Sequence, residues 1–197
     1  MLQKAFFKVD VVDRIYDTPV FEKTTPGAYE FTVPEEYNYV VIEYAGAGGG
    51  AATVGVGYIG NGAVLKTDKL KIKNNIIKCI IGEQGKVLYG GSGYESGKNG
   101  GSENNKSGGG GGGSTAVTIN NILYQASGGG GQVCKVGSSS FGDLIVAGGW
   151  GGGPYPGSGI YSNDQSKKNA QDVGAISYNS GNGYVKIWAG YDPYFKG

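Results

Sequence analysis

The residues that could do covalent chemistry are few in this chain of 197 residues. It contains no histidine, so the Ser-His-Asp and Cys-His arrangements of nucleophilic catalysis cannot be built. Carboxylates remain, because Glu35 with Glu36, and Asp164 or Asp172 in polar stretches, could serve as the acid and base of a glycosidase. Acids in such polar contexts are typical of a solvated surface. We therefore predict a protein that is not an enzyme.

Two glycine-rich stretches are similar to nucleotide-binding motifs, but neither fits such a site. Residues 45–51 match G-x-G-x-x-A after a strand-like segment, but the following residues include Gly55, Gly57 and Gly60. Each of these glycines would cost about 1 kcal/mol inside the helix that a dinucleotide site requires. Residues 108–115 fail the P-loop pattern because no lysine precedes Ser114. The sequence thus predicts no nucleotide and no other cofactor.

The two cysteines, Cys79 and Cys134, lie far apart in the sequence, each among strand-like residues. This placement favours two buried free thiols over a disulfide. Two thiols without histidine also make a poor zinc site, so we predict no bound metal.

The charge of the chain is close to balance, with a net of +1 and a single arginine, Arg14. Binding to nucleic acid or to an anionic membrane needs clustered basic residues, which are lacking here. No apolar run approaches the roughly 20 residues of a membrane-spanning helix, and the N-terminal residues do not resemble a signal peptide. We expect synthesis in a cytoplasm without an export signal, no membrane insertion, and neutral or weakly charged partners.

Aromatic and amide side chains beside the glycine-rich segments are the better candidates for a function. Aromatic rings with polar tips next to small residues suit sugar faces or exposed protein loops, and asparagine can add hydrogen bonds. The alternative is that the rings only cover the edges of a glycine core and that the asparagines form turns. The candidate binding residues are Tyr58, Tyr89, Tyr94, Asn99, Asn104, Trp150, Tyr155, Tyr161 and Asn163.

The elements that must position these residues read as short strands. Residues 37–44 and 184–188 are rich in β-branched and aromatic residues, and residues 114–124 predict a hairpin with Asn120 and Asn121 at its turn. Helical periodicity with caps is missing along the chain. The predicted fold class is therefore mainly β, with almost no α-helix.

Glycine supplies 41 of the 197 residues, without the repeat of collagen. Its runs are either flexible linkers or extended helices of three residues per turn that hydrogen-bond to one another. Ordering a residue costs about 1–2 kcal/mol and a hydrogen bond returns a net of about 0.5–1.5 kcal/mol, so only a lattice of several runs could be stable. The lattice is favoured because each run lies between strands too short to fold alone.

The predicted polyglycine core, a sandwich-like stack of such helices, takes its members from four runs. They are Gly48, Gly49 and Gly50; Gly108, Gly109, Gly110, Gly111, Gly112 and Gly113; Gly128, Gly129, Gly130 and Gly131; and Gly148, Gly149, Gly151, Gly152 and Gly153.

The chain divides by composition at residue 25. Residues 1–25 contain no glycine and are interpreted as an attachment segment, although they could also be an ordinary first strand of the same domain. Residues 26–197 form one glycine-rich domain, in which the polar stretches 86–107 and 154–173 are expected to be surface loops.

The order of several motifs resembles the glycine-rich domain of bacteriophage tail-fibre tip adhesins. The resemblance covers roughly residues 26–190 and depends on motif order, since no single glycine run is specific. The motifs are FTVP at 31–34, AGAGGG at 45–50, IIGEQG at 80–85, SGGGG at 127–131, AGGWGGG at 147–153 and GNGYVKIW at 181–188.

This resemblance implies a virion protein of the tail fibre or tail tip, whose loops on a core of polyglycine helices grip a receptor on the host bacterium. The implied partner is a host cell-surface protein or glycan. Residues 1–25 have no counterpart in the family pattern, and as an attachment segment they are expected to bind other tail or fibre proteins; a homo-oligomer stays open. The alternative is a structural subunit of a phage tail or particle, joined to its partners by residues 1–25 and by the aromatic C-terminus. Ice binding is disfavoured because the sequence has no regular array of threonines.

Overall fold

The computed structural model of the protein describes residues 14–15, 17–139, 142–153 and 176–196. Over these ranges the chain is mainly β and has no α-helix, so the predicted fold class is confirmed at this level. The sixteen strands are β1 Arg14–Ile15, β2 Phe21–Lys23, β3 Gly27–Thr32, β4 Tyr39–Ala45, β5 Gly55–Val56, β6 Gly62–Lys66, β7 Leu70–Lys71, β8 Ile76–Ile81, β9 Ser102–Glu103, β10 Lys106–Ser107, β11 Thr115–Ile119, β12 Ile122–Ala126, β13 Val133–Ser139, β14 Gly142–Val146, β15 Ser177–Asn179 and β16 Tyr184–Tyr191.

The largest sheet has seven strands and is built around β16 and β4, which pair antiparallel along most of their length. β1 and β2 also pair with β16, while β6 and β7 pair with β4 and β15 pairs with β6. The strands at 14–15 and 21–23 therefore join the same sheet as the C-terminal strand.

A second, four-stranded sheet has the order β12-β11-β8-β3. β11 and β12 form the predicted hairpin, with Thr115 opposite Ala126 and Ile119 opposite Ile122. Asn120 and Asn121 have φ angles of 52° and 64°, and two consecutive left-handed residues are what a type I′ turn requires. The hairpin and its turn residues are thus confirmed.

The hydrophobic core takes side chains from both sheets. Alternate residues of β4 and β16, among them Ile42 and Ile187, are buried with Ile77 and Val117 of the second sheet. Cys79 belongs to this cluster, and burial raises the pKa of its thiol to about 11. Cys134 is also buried, and both thiols are free, as predicted.

Strands of the two sheets lead directly into glycine-rich segments. β4 ends at Ala45, β8 at Ile81 and β12 at Ala126, each just before a glycine-rich segment, and β11 starts after residues 108–114. At their other ends the segments lead to a three-stranded sheet, β14-β13-β5, and to the β9–β10 hairpin. The glycine-rich segments therefore connect the core sheets to these smaller elements.

The stretch 86–107 differs from the free surface loop that its polar composition predicts. Its backbone is hydrogen-bonded into the glycine-rich layers: the Gly91 amide donates to the Gly111 carbonyl and the Gly108 amide to the Gly101 carbonyl, both at 2.8 Å. The physical reason is that scattered glycines, Gly91 among them, let the backbone approach its neighbours closely while the polar side chains stay outside.

Candidate functional site

The residues 108–113, here called the central run, have amides that donate with a period of three. The amides of 108 and 111, and that of the adjoining Ser114, donate to carbonyls of segment 95–101. The amides of 109 and 112 donate to segment 129–132, and those of 110 and 113 donate to segment 83–86. All of these N···O distances are 2.8–2.9 Å. The run therefore has three amide rows, and each row bonds to a different neighbour.

The carbonyls of the central run follow the same period. Those of 108 and 111 accept from segment 88–91, those of 109 and 112 from segment 149–152, and those of 110 and 113 from segment 47–50. Six segments thus surround the run. Neighbouring segments are also joined to one another around the run by backbone hydrogen bonds. The amide-to-carbonyl pairs are Lys98 to Trp150, Gly131 to Gly149, Gly129 to Ala47, Gly85 to Gly48, Lys86 to Tyr89 and Gly97 to Gly91. These six segments and the central run are called the glycine bundle below.

Close packing explains why the central run consists of glycine alone. A Cβ atom at Gly109 would overlap the carbonyl oxygen of Gly50, and one at Gly110 would overlap that of Tyr89. Among the described glycines, positive φ angles occur only at positions 27, 57 and 153, so backbone conformation is not the cause. Since every row of the run faces a neighbouring backbone, no position has room for a side chain.

The segment 147–153 has the same period, with one row that is exposed at Ala147 and Trp150. Cβ atoms at Gly148 and Gly151 would meet segment 128–131, and those at Gly149 and Gly152 would meet segment 95–98. Trp150 lies in the remaining row, and 58% of its surface is exposed. The sequence AGGWGGG therefore places an exposed aromatic side chain between buried glycines.

The predicted binding residues fall into three groups in the structure. Tyr58, Tyr89, Tyr94 and Trp150 are exposed, and Tyr58 is the most exposed of them at 80%. Asn99 and Asn104 have backbone roles that are described below. Tyr155, Tyr161 and Asn163 lie outside the described residues. The glycines proposed as core at 48–50, 108–113, 128–131, 148–149 and 151–153 are all buried.

The two asparagines support backbone geometry. The side-chain oxygen of Asn99 accepts a hydrogen bond from the Gly90 amide at 2.9 Å. Asn104 and Asn105, with φ angles of 51° and 60°, form the turn of the β9–β10 hairpin. Both asparagines therefore have a structural explanation that does not depend on a ligand.

A cleft of about 620 Å³ is lined by residues of the segments 95–98 and 150–153, whose backbones are hydrogen-bonded to each other. Trp150, Glu95, Ser96 and Lys98 provide its side chains, and the backbone of 151–153 completes it. Of the four side chains, only that of Trp150 is predicted as a binding residue from the sequence. A sequence signal that could have identified Lys98 is the three-residue spacing of Gly97 and Gly100. Both glycines face the central run, so the two residues between them, Lys98 and Asn99, are exposed.

The backbone around the cleft is fixed by hydrogen bonds. The Lys98 amide donates to the Trp150 carbonyl at 2.7 Å. The Glu95 amide donates to Ser114 Oγ at 2.8 Å, and the Glu95 carbonyl accepts from the Ser114 amide at 2.9 Å. Glu95 Oε2 also accepts from the Gly153 amide at 3.1 Å, so its carboxylate spans the two walls.

No protein-family model matches the chain, and no curated protein is significantly similar to it. Within the described ranges there is no helix with the length and apolar character of a membrane span. The same residues contain no cluster of three His, Cys, Asp or Glu side chains that could hold a metal ion.

Proposed function

We propose that the protein is a bacteriophage tail-fibre or tail-tip protein that binds a receptor on the host bacterium through side chains and loops carried on a polyglycine core. The observation that carries the proposal is the central run with its six hydrogen-bonded neighbours. This arrangement agrees with the core expected from the motif order that the chain shares with tail-fibre tip adhesins.

The central run and its neighbours are interpreted as polyglycine II helices. Such helices have three residues per turn and no internal hydrogen bonds, so their peptide groups bond to adjacent chains. The period of three in the donors and acceptors of residues 108–113 supports this interpretation. The two sheets share one hydrophobic core, which supports interpreting the domain as sandwich-like.

Recognition is assigned to the exposed aromatic residues of the glycine-rich domain. A scaffold whose backbone is bonded on all sides can hold such side chains at a low entropic cost of binding. Tyr58, Tyr89, Tyr94 and Trp150 are the candidates among the described residues. The ligand is a cell-surface protein or glycan of the host, and neither nucleic acid nor a membrane is a proposed partner.

Attachment to the virion is assigned to the N-terminal segment, residues 1–25. Its described strands, β1 and β2, pair with β16 and so lie on the large sheet. The proposed arrangement has other tail or fibre proteins bound through this segment while the glycine bundle holds the receptor-binding residues.

Adsorption to bacteria tests the proposal. Fluorescently labelled protein is incubated with a panel of strains and the bound fraction is measured. Replacement of 94–107 with retention of its glycines and of Asn99, Asn104 and Asn105, and of 154–172 with a neutral linker, should reduce adsorption or change the strains that are bound, while the melting temperature stays near that of the parent. Unchanged adsorption after both replacements would contradict the receptor-binding role.

The alternative, a structural subunit, is favoured by the aromatic C-terminus. Tyr191 and Tyr194 are exposed there, whereas Phe195 packs on Tyr39 with ring centroids 5.8 Å apart. A structural role without receptor binding predicts that the isolated protein adsorbs to no strain and that deletion of residues 1–13 prevents its incorporation into particles. Y191A/Y194A should then also reduce incorporation, measured by the protein content of purified particles.

A further inference from the structure

The cleft between Glu95, Ser96, Lys98 and Trp150 has the features of a small-ligand site. Its volume of about 620 Å³ is within the range of small-molecule pockets, roughly 300–1,000 Å³. It combines one broad aromatic surface with three polar or charged side chains that could fix the orientation of a ligand.

We propose that this cleft is a subsite for a neutral saccharide unit of a host surface glycan, an inference that rests on the proposed function. A sugar ring has an apolar C–H face and a rim of hydroxyl groups that both donate and accept hydrogen bonds. The exposed Trp150 indole offers the matching apolar surface. The Glu95 carboxylate accepts, the Lys98 ammonium donates and the Ser96 hydroxyl does both, which suits a polyol.

The charge of the cleft favours a neutral ligand over an anion. Among the described residues, the lining carries one carboxylate, Glu95, and one ammonium, Lys98, so their formal charges cancel. A phosphate or an acidic sugar would be attracted by Lys98 but repelled by Glu95, while a neutral sugar can hydrogen-bond to both groups. Glu95 already accepts a bond from the Gly153 amide through Oε2, which fixes the carboxylate at the edge of the cleft.

The position of Trp150 is set by the glycine bundle. Gly149 and Gly151 on either side of it are buried, and its carbonyl accepts from Lys98 at 2.7 Å. The opposite wall is fixed by two hydrogen bonds of the Glu95 backbone, one with the Ser114 hydroxyl and one with the Ser114 amide. A ligand would therefore enter a site whose backbone is already ordered, and this reduces the entropy lost on binding.

The two tryptophans make a direct optical test possible. The other tryptophan, Trp188, belongs to β16 of the large sheet, and the centroid of its ring is 4.8 Å from Lys66 Nζ. The variant W188F thus leaves Trp150 as the sole indole fluorophore. Its emission is recorded during titration with neutral oligosaccharides, namely maltotriose, cellotriose, a mannose trisaccharide and a trimer of N-acetylglucosamine. Sialyllactose and inorganic phosphate are the anionic comparisons.

We expect a saturable change in emission with at least one neutral oligosaccharide and none with the two anions. Calorimetry with the same sugar should show that W150A weakens binding at least about tenfold and that K98M and E95Q weaken it several-fold. Y194A, which removes an exposed aromatic ring from the C-terminal tail, is the matched control and should bind as the parent does. Thermal melting checks that each variant is folded. If W150A fails to fold, K98M still tests whether the cleft binds the sugar, because it removes the ammonium of an exposed side chain.

Several outcomes would overturn the subsite. These are no response to any neutral sugar, a response to the anions instead, or equal affinity in the parent, W150A and K98M. If the parent adsorbs to bacteria and W150A and K98M adsorb equally well, the subsite is wrong while the receptor-binding role stands. If sugar binding requires Trp150 and Lys98 but the protein adsorbs to no strain, the subsite stands and the proposed function is wrong.

Discussion

Gly111 lies against the backbone of Trp150, so that a Cβ atom at Gly111 would overlap the Trp150 carbonyl oxygen. The Gly111 amide also donates to the Lys98 carbonyl at 2.9 Å. One buried glycine therefore contacts the backbone of both segments that form the cleft. The position of the exposed indole depends on the absence of a side chain in the central run.

G111A should destabilise the domain. The added methyl group must displace segment 150–151, and overpacking of this kind costs about 1–3 kcal/mol or more. We expect the free energy of unfolding to fall by about 2 kcal/mol and the melting temperature by several degrees. Denaturant and thermal unfolding measure both quantities.

G181A is the matched control for this change. A Cβ atom at Gly181 would meet only Asn179 Oδ1, at 4.0 Å, and the φ angle of Gly181 is not positive. The stability of G181A should stay within about 1 kcal/mol of the parent and tend upward, because alanine restricts the unfolded chain. Equal stability of G111A and G181A would contradict the close-packed bundle.

Two buried serines at the ends of glycine runs should respond in opposite ways. Ser114 Oγ accepts from the Glu95 amide at 2.8 Å and from Gln125 Nε2 at 3.0 Å. The equally buried Ser127 Oγ has no hydrogen-bond partner among the described residues. S114A should lose about 1–3 kcal/mol, whereas S127A should be neutral or slightly stabilising. Chemical denaturation of both variants checks this contrast, and a large loss in S127A would mean that its hydroxyl does have a partner.

The two asparagines in the turn of the β11–β12 hairpin should differ in how much their side chains contribute to stability. Asn120 Oδ1 accepts from the Lys73 and Asn74 amides, and its Nδ2 donates to the Lys71 carbonyl at 2.7 Å. N120G keeps the left-handed backbone but removes these bonds, and should cost about 1–2 kcal/mol. N121G, at the neighbouring left-handed position, should be close to neutral. Similar stabilities for the two variants would show that Asn120 acts through its backbone conformation alone.

The stability of the protein should depend on pH through the ionisation of the Tyr184 phenol, whose pKa is raised in the folded state. Burial raises the pKa of its phenol, and the Glu43 carboxylate that accepts its hydrogen bond at 3.0 Å raises that pKa further. The folded pKa is then above the unfolded value of about 10. The stabilisation is thus fully present below pH about 10 and is lost as the pH rises above it.

Y184F should be less stable than the parent at pH 8 by about 1 kcal/mol, since it lacks the hydrogen bond to Glu43. The difference should narrow between pH 9 and about 11, because the phenylalanine cannot ionise in the unfolded state. Y58F removes a hydroxyl from a highly exposed tyrosine and should follow the parent at every pH. A constant gap between Y184F and the parent over this range would be inconsistent with the raised pKa.

Local patterns made the strands and one turn predictable. The alternation in 184–188 and the Asn120-Asn121 pair act over a few residues, so each can be interpreted without knowledge of the rest of the chain. The free thiols followed from the same local reasoning. Each of these features is in the structure as predicted.

The order of segments around the central run could not be predicted in this way. Its hydrogen bonds join backbone groups, which are the same at every residue, so the glycines do not specify which segment lies beside which. The few side-chain bonds between segments, such as that of Asn99 with the Gly90 amide, have no local sequence signal. The stretch 86–107 was misleading because its inward-facing glycines are separated by polar residues that suggest a loop. Glu95 and Lys98 were missed for the same reason, since their roles depend on their neighbours in the bundle.

The glycine bundle also has a consequence for heat capacity. Unfolding of an ordinary core exposes apolar surface, which raises the heat capacity, whereas exposure of peptide groups lowers it. The buried residues of the central run are glycines that contribute only peptide groups and one methylene each. The domain should therefore have a smaller heat-capacity change per residue than the usual 12–15 cal/mol/K, and its stability should vary less with temperature than that of a hydrophobic core.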